Sequence, residues 1–267
     1  MANPDAVVRT LDAVRERAPL VHNITNAVVT NTTANALLAI GASPAMVESV
    51  EEVADFVALA DALVVNLGTL TPESEAAMRR AVARAAERGK PWVLDPVAVG
   101  VLGNRLRLAA ALLQFRPSVV RGNASEIMAL AGAGAGGKGV DSGAESDAAL
   151  GAAQALAGRA GVVVAVTGAV DYVTDGARTL ACRNGHPMMT RVTGLGCTAT
   201  ALVGACIAVE RDALAAAAHG LALTGVAGEI AAARSRGPGS LQMEFLDALH
   251  ALNAATLRAR VRLTDAS

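Results

Sequence analysis

Short runs of consecutive apolar residues alternate along this chain with longer stretches in which alanine and leucine recur at helical spacing. The runs at 62–68 (ALVVNLG), 91–96 (PWVLDP), 117–123 (PSVVRGN) and 161–168 (GVVVAVTG) are rich in β-branched residues and lack polar alternation. That pattern predicts strands covered on both faces. Helices are predicted between them at 71–90, 105–115 and 124–132. Thr71 reads as an N-cap, Pro72 as a first helical residue and Gly89 as a terminator. Repeated strand–helix–strand order predicts an α/β fold, a mainly parallel sheet with helices on both faces. After Gly168 the pattern changes. Segments 170–176 and 177–185 predict a hairpin at one side of the sheet, and helices near 194–210, 212–234 and 240–257 close the chain. The glycine-rich stretch 131–143 reads as a surface loop between two helices, and its GGKG lacks the spacing and preceding strand of a phosphate loop. No internal repeat is visible, and residues 1–267 read as one domain.

Composition narrows the function classes. Lys plus Arg total 23 against 24 Asp plus Glu, a formal charge of −1. Such balance leaves no electrostatic footprint for nucleic acid or an anionic membrane. Aromatic residues make up 2% of the chain, so platforms for stacking bases or sugars are scarce. Mean hydropathy is +0.41, yet the apolar runs read as shorter than the ~20 residues a membrane span needs. Cys182, Cys197 and Cys206 form neither a disulfide framework nor a C-x-x-C zinc pair. With no basic-then-apolar leader in MANPDAVVRT, a reducing cytoplasm is expected.

In a parallel α/β sheet, ligands bind beyond the carboxyl ends of the strands. Asp95 ends one predicted strand and precedes Pro96, where it either caps a turn or serves a divalent metal. Arg121 and Glu126 flank the next strand end in VVRGNASEI. Glu126 falls in a first helical turn, as a capping carboxylate or as a second acidic group facing a metal–nucleotide, and Arg121 can neutralise phosphate charge. Thr167 and Gly168 close the strand GVVVAVTG, where a phosphate can approach the backbone. Thr193, Gly194, Leu195, Gly196 and Cys197 precede a long apolar helix. Amides at such a turn make an anion site suited to a transferring phosphoryl group. A helix start also favours a thiolate at Cys197, as base or as pocket wall. Upstream, 19–49 is dense in Asn and Thr, Asn26 among them, and Met46 follows a turn, where it either fills the core or packs on a flat heteroaromatic ring.

These segments resemble one family. PLVHNITN, TANALLAIGASPAM, VVNLGTL, VLDPVAVG, VRGNASEI, VAVTGAVDYVTDG and VTGLGC…VGACIAVE occur in order between residues 19 and 210, and together they are similar to the hydroxyethylthiazole kinases of thiamine salvage. The resemblance implies a ribokinase-like fold and transfer of the ATP γ-phosphate to the hydroxyl of 5-(2-hydroxyethyl)-4-methylthiazole, with Mg²⁺ as the metal. It implies that Met46, Gly194 and Asn26 serve the thiazole, that Arg121 and Thr167 contact ATP, and that Asp95 and Glu126 serve Mg²⁺ and phosphates. It puts Cys197 where related sugar and pyrimidine kinases carry a catalytic Asp. A homotrimer with thiazole sites at subunit boundaries is expected, with no nucleic-acid or membrane partner. Leu195 stands between the glycines where a small residue is expected, which would narrow the anion site. The rival readings are another kinase of the same fold, acting on a hydroxymethylpyrimidine or a sugar, a nucleotide-binding regulator without turnover, and a cysteine-dependent hydrolase.

Overall fold

The computed structural model describes residues 3–132 and 142–266. Its strands are β1 (Leu20–Ile24), β2 (Ser43–Ala45), β3 (Ala62–Asn66), β4 (Trp92–Asp95), β5 (Val119–Asn123), β6 (Val163–Thr167), β7 (Asp171–Thr174), β8 (Thr179–Cys182) and β9 (Leu263–Ala266). They form one nine-stranded sheet in the order β2-β1-β3-β4-β5-β6-β7-β8-β9. Pairings from β2 to β6 are parallel, and those from β6 to β9 are antiparallel. The parallel part and the β7–β8 hairpin are as the hydrophobic pattern predicts.

Helices cover both faces. On one lie α1 (Pro4–Arg17), α2 (Thr30–Ile40), α8 (Leu195–Ile207), α9 (Ala213–Arg234) and α10 (Pro238–Ala251). They bury Leu11, Leu37, Leu202, Leu221 and Phe245 with Val64, Val93 and Val119 of the strands. On the other lie α3 (Val53–Leu59), α4 (Pro72–Arg88), α5 (Gly103–Leu113), α6 (Ala124–Ala131) and α7 (Ser142–Ala160). There Val57, Met78, Leu108, Ile127 and Leu156 meet Leu63, Val65, Leu94 and Val120. Successive strand residues point to opposite faces, so a strand buried on both sides must be apolar throughout. The Thr71 cap, Pro72 start and left-handed Gly89 stop of α4 are all present.

Two expectations need correction, and several elements were not foreseen. The predicted helix 240–257 is two helices, α10 and α11 (Ala254–Arg260). Asn253 divides them, because its side chain accepts a bond from the Thr256 amide and starts a new helix. Helices α1, α2 and α3 and strands β1 and β9 were not predicted, although Asn3 followed by Pro4 is a capping signal and does cap α1. Most of the glycine-rich stretch, 133–141, lies outside the described residues. One helix, α9, is long and apolar enough to cross a membrane, contrary to the reading of the apolar runs. It is buried along most of its length against the core, as a central helix of the fold.

The packing of α8 on α9 is close. A Cβ built on Gly220 of α9 would lie 2.9 Å from Val203 Cα and 3.0 Å from Val203 N of α8. Backbone cannot give way as a side chain can. Gly220→Ala is therefore expected to destabilise by about 1–2 kcal/mol, overpacking outweighing the gain in helix propensity. Gly151→Ala in α7, where a Cβ meets nothing within 4 Å, should stabilise by about 0.8 kcal/mol. Urea denaturation of the two variants checks both signs.

Candidate active site

Strands β3, β4, β5 and β6 end at Asn66, Asp95, Asn123 and Thr167, with Asn66 in register with Asp95 and Asn123 with Thr167. Their carboxyl ends therefore share one edge. Asn66 Nδ2 donates to Asp95 Oδ2 at 2.8 Å, and Thr200 Oγ1 of α8 donates to the same oxygen at 2.7 Å. Asn66 Oδ1 accepts from the Gly68 amide and from Asn26 Nδ2, each at 2.9 Å. A backbone N–H only donates, so the Gly68 bond fixes which end of the Asn66 amide is oxygen. Asn26 is fixed likewise, since its Oδ1 accepts from the Val28 amide at 3.1 Å. Its Nδ2 also donates to Cys197 Sγ at 3.5 Å. Asn26, Asn66, Asp95, Thr200 and Cys197 thus form one connected polar group.

Helix α8 begins over this edge. Its N-cap is Gly194 at φ 82, with no side-chain cap and no acidic residue in the first turn. A Cβ at Gly194 would collide with Val29 Cγ1, and the left-handed backbone there suits glycine. The first helical bond runs from the Thr198 amide to Gly194 O at 2.8 Å, so the amides of 195–197 precede the helical ladder. They carry the positive end of the helix dipole. Arg121 lies against this turn, for a Cβ on Gly196 would be 3.0 Å from a guanidinium nitrogen. The same guanidinium donates to Thr167 Oγ1 at 2.5 Å. Arg121, Thr167, Leu195 and Gly196 line a cavity of about 520 Å³ that continues past Asp171, His186 and Thr224. Leu195 is buried in the apolar core beneath and contributes wall to this cavity.

Burial pushes the Asp95 carboxyl up to about 6, with Arg121 and the bonds from Thr200 and Asn66 opposing the rise and Glu126 adding to it. Asp171 is likewise pushed up to about 6 by burial, against the Gly168 amide and Arg121. Glu126 closes a capping box: its Oε2 accepts from the Asn123 amide and its Oε1 from the Ala98 amide, each at 2.9 Å. The capping function foreseen for Glu126 is therefore present, and the same bonds hold its carboxylate within electrostatic reach of Asp95. Among the described residues, no cluster of three or more His, Cys, Asp or Glu could hold a metal unaided. Two carboxylates suit an ion that takes its other ligands from water and phosphate.

The thiolate expected at Cys197 is not supported. Burial, then Asp95, pushes the thiol up to about 11, against bonds or charge from Asn66, Arg121 and Asn26. Burial therefore favours the neutral thiol over the thiolate at Cys197. Met46 sits half-buried beyond β2, at the sheet edge, outside both the polar group and the cavity. The remaining expected site residues cluster at the strand ends and the start of α8.

A family model for the hydroxyethylthiazole kinase family matches residues 11–255. The chain belongs to that family. It is 65% identical over 258 residues to a hydroxyethylthiazole kinase of Granulibacter bethesdensis, covering 97% of this chain and 94% of that protein. The solved hydroxyethylthiazole kinase of Pyrococcus horikoshii superposes with a TM-score of 0.91 at 43% identity, over 98% of this chain and 99% of that one. A ribokinase-like superfamily protein from Enterococcus faecalis shares the fold, with a TM-score of 0.63 at 13% identity over 86% of each chain. The fold is therefore ribokinase-like.

For this member of the family, reading the sequence missed Asn66, Thr200 and Asp171. Asn66 carried a usable signal, because a polar residue ending an apolar strand faces the ligand edge. Thr200 carried none, since a threonine inside an apolar helix looks like core.

A charge buried at Asp95 should oppose folding. Its folded value of about 6 exceeds the ordinary 3.8, so the penalty is absent near pH 4, grows as pH rises, and is complete above about 6. Roughly two pKa units correspond to about 3 kcal/mol at most. Asp95→Asn, measured without nucleotide or metal, is expected to gain about 1–2 kcal/mol against urea at pH 8 and to lose that gain towards pH 4.5.

Proposed function

We propose that the start of α8 and the ends of β3–β6 divide the work of one phosphoryl transfer, from ATP to the side-chain hydroxyl of hydroxyethylthiazole. Family membership over nearly the whole chain carries the reaction itself, which yields the thiazole phosphate and ADP in thiamine salvage. The uncapped first turn of α8 facing Arg121 carries the division of labour.

A γ-phosphoryl group gathers charge on its peripheral oxygens as it moves. The amides of 195–197 and Arg121 are donors already fixed at one corner, so they need no reorganisation during the reaction. Thr167, held by Arg121, lines the adjoining cavity, which takes the rest of ATP. On the other side, Asn26, Gly194 and Met46 form the acceptor's surroundings. Asp95 and Glu126 would hold the Mg²⁺, directly or through its waters, and the ion supplies charge neutralisation to the phosphates. Raising the Asp95 pKa by burial makes a neighbouring cation more welcome than it would be at a solvated carboxylate.

Cys197 contacts the hydroxyl without ionising. Its sulfur accepts the Asn26 N–H, which holds the side chain in place. A loose transition state asks little of a base, so the hydroxyl proton leaves late. Assembly as a trimer, with the thiazole site completed at a boundary, accords with Val28 just before α2 and Leu38 within it, apolar yet 61% and 59% exposed. A cytoplasmic setting accords with three free cysteines.

The reading is tested by ADP release on adding hydroxyethylthiazole. ADP should appear with the thiazole alcohol and Mg²⁺ and stop on chelation, while ATP binding without thiazole-dependent ADP would overturn it. Cys197→Ser is expected to lower kcat by about tenfold or less, below the ~10²–10⁴ of a true general base. Its KM for the thiazole should stay within about twofold, since one neutral hydrogen-bonding group replaces another.

A further inference from the structure

We infer that His22 is a positioning residue for the thiazole, holding the Met46 segment in place from beneath the sheet edge. The inference rests on the reading of Met46 as a thiazole contact. Strand β2 is three residues long and lies at the edge of the sheet. Its ladder with β1 ends where Ala45 pairs with His22. Met46 follows with no further ladder register, so nothing in the sheet fixes its backbone.

The side chain of His22 continues the connection. Its Nε2 lies 2.7 Å from the carbonyl oxygen of Val47. A carbonyl only accepts, so Nε2 carries the proton and donates. One residue therefore holds both flanks of Met46, Ala45 through the backbone and Val47 through the imidazole. The ring is itself confined: His22 is fully buried, and Phe56 of α3 meets it edge-on with centroids 5.0 Å apart. Burial also keeps His22 below its usual pKa, so the neutral, single-donor form prevails near pH 7.

The test compares His22→Phe, which keeps a ring but loses the donor, with His22→Gln, whose amide nitrogen can reach the Val47 carbonyl. Each is made alone and with Met46→Ala, and KM for hydroxyethylthiazole, KM for ATP and kcat are measured. His22→Phe should raise the thiazole KM about tenfold, the loss expected for one buried hydrogen bond. The ATP KM and kcat should stay within about twofold, and His22→Gln should recover most of the loss. On the Met46→Ala background, His22→Phe should add less than about twofold, because coupled residues are not additive. If His22→Phe does not fold, His22→Asn, too short to reach Val47, takes its place. Equal rises in both KM values, no rescue by glutamine, or full additivity would overturn the inference. If Met46→Ala raises the thiazole KM and the His22 variants do not, only the His22 role falls. If Met46→Ala leaves that KM unchanged, the reading of Met46 falls and this inference with it.

Discussion

The position at which α8 starts governs everything at this site. All of its residues are buried except Gly196 and Cys197, so the helix is a core element with one exposed corner. That corner coincides with the carboxyl ends of β3–β6. The coincidence is enforced from below, where Gly220 lets α9 press against the α8 backbone, and from the side, where Thr200 bonds to Asp95. A helix anchored this way cannot turn its amides away from the edge without breaking the core. The proposed anion site would therefore be set by apolar packing, with its donors fixed before any ligand arrives.

Around that corner, opposite charges are arranged at different depths. Arg121 is within electrostatic reach of both Asp95 and Asp171 and opposes the burial that raises both carboxyls. Its guanidinium is held by Thr167 and lies on Gly196, at the corner where phosphate oxygens would come. Asp95 has two donors on a single oxygen, while both oxygens of Glu126 are taken by backbone amides. Both carboxylates are thereby fixed in direction. The polar group running through Asn66 and Asn26 to Cys197 links this charged side to the side proposed for the acceptor alcohol.

Much of this was legible in the sequence, for a physical reason. A strand buried on both faces must be apolar throughout, so β3, β4, β5 and β6 stand out, and with them the residues at their ends. Asp95, Arg121 and Thr167 were found that way, and the Gly194–Cys197 turn was found from the long apolar helix it precedes. Elements whose stability comes from neighbours were harder to read: β9 is four residues long, and α3 has no side-chain cap. The break at Asn253 hinged on a cap inside an otherwise helical pattern. The charge state of Cys197 could not be read either, because a helix start favours a thiolate and burial opposes it. Which wins depends on depth, a property of the folded chain. Thr200 escaped for a similar reason, since its meaning lies in Asp95, a partner distant in sequence.

The most direct test is a crystal structure with a non-hydrolysable ATP analogue, Mg²⁺ and hydroxyethylthiazole bound together. The terminal phosphoryl oxygens should lie within hydrogen-bonding distance of the 195–197 amides and the Arg121 guanidinium, with the thiazole hydroxyl beside Cys197 and Asn26. A phosphoryl group lying away from the first turn of α8, or a hydroxyl aimed at another part of the edge, would contradict the account.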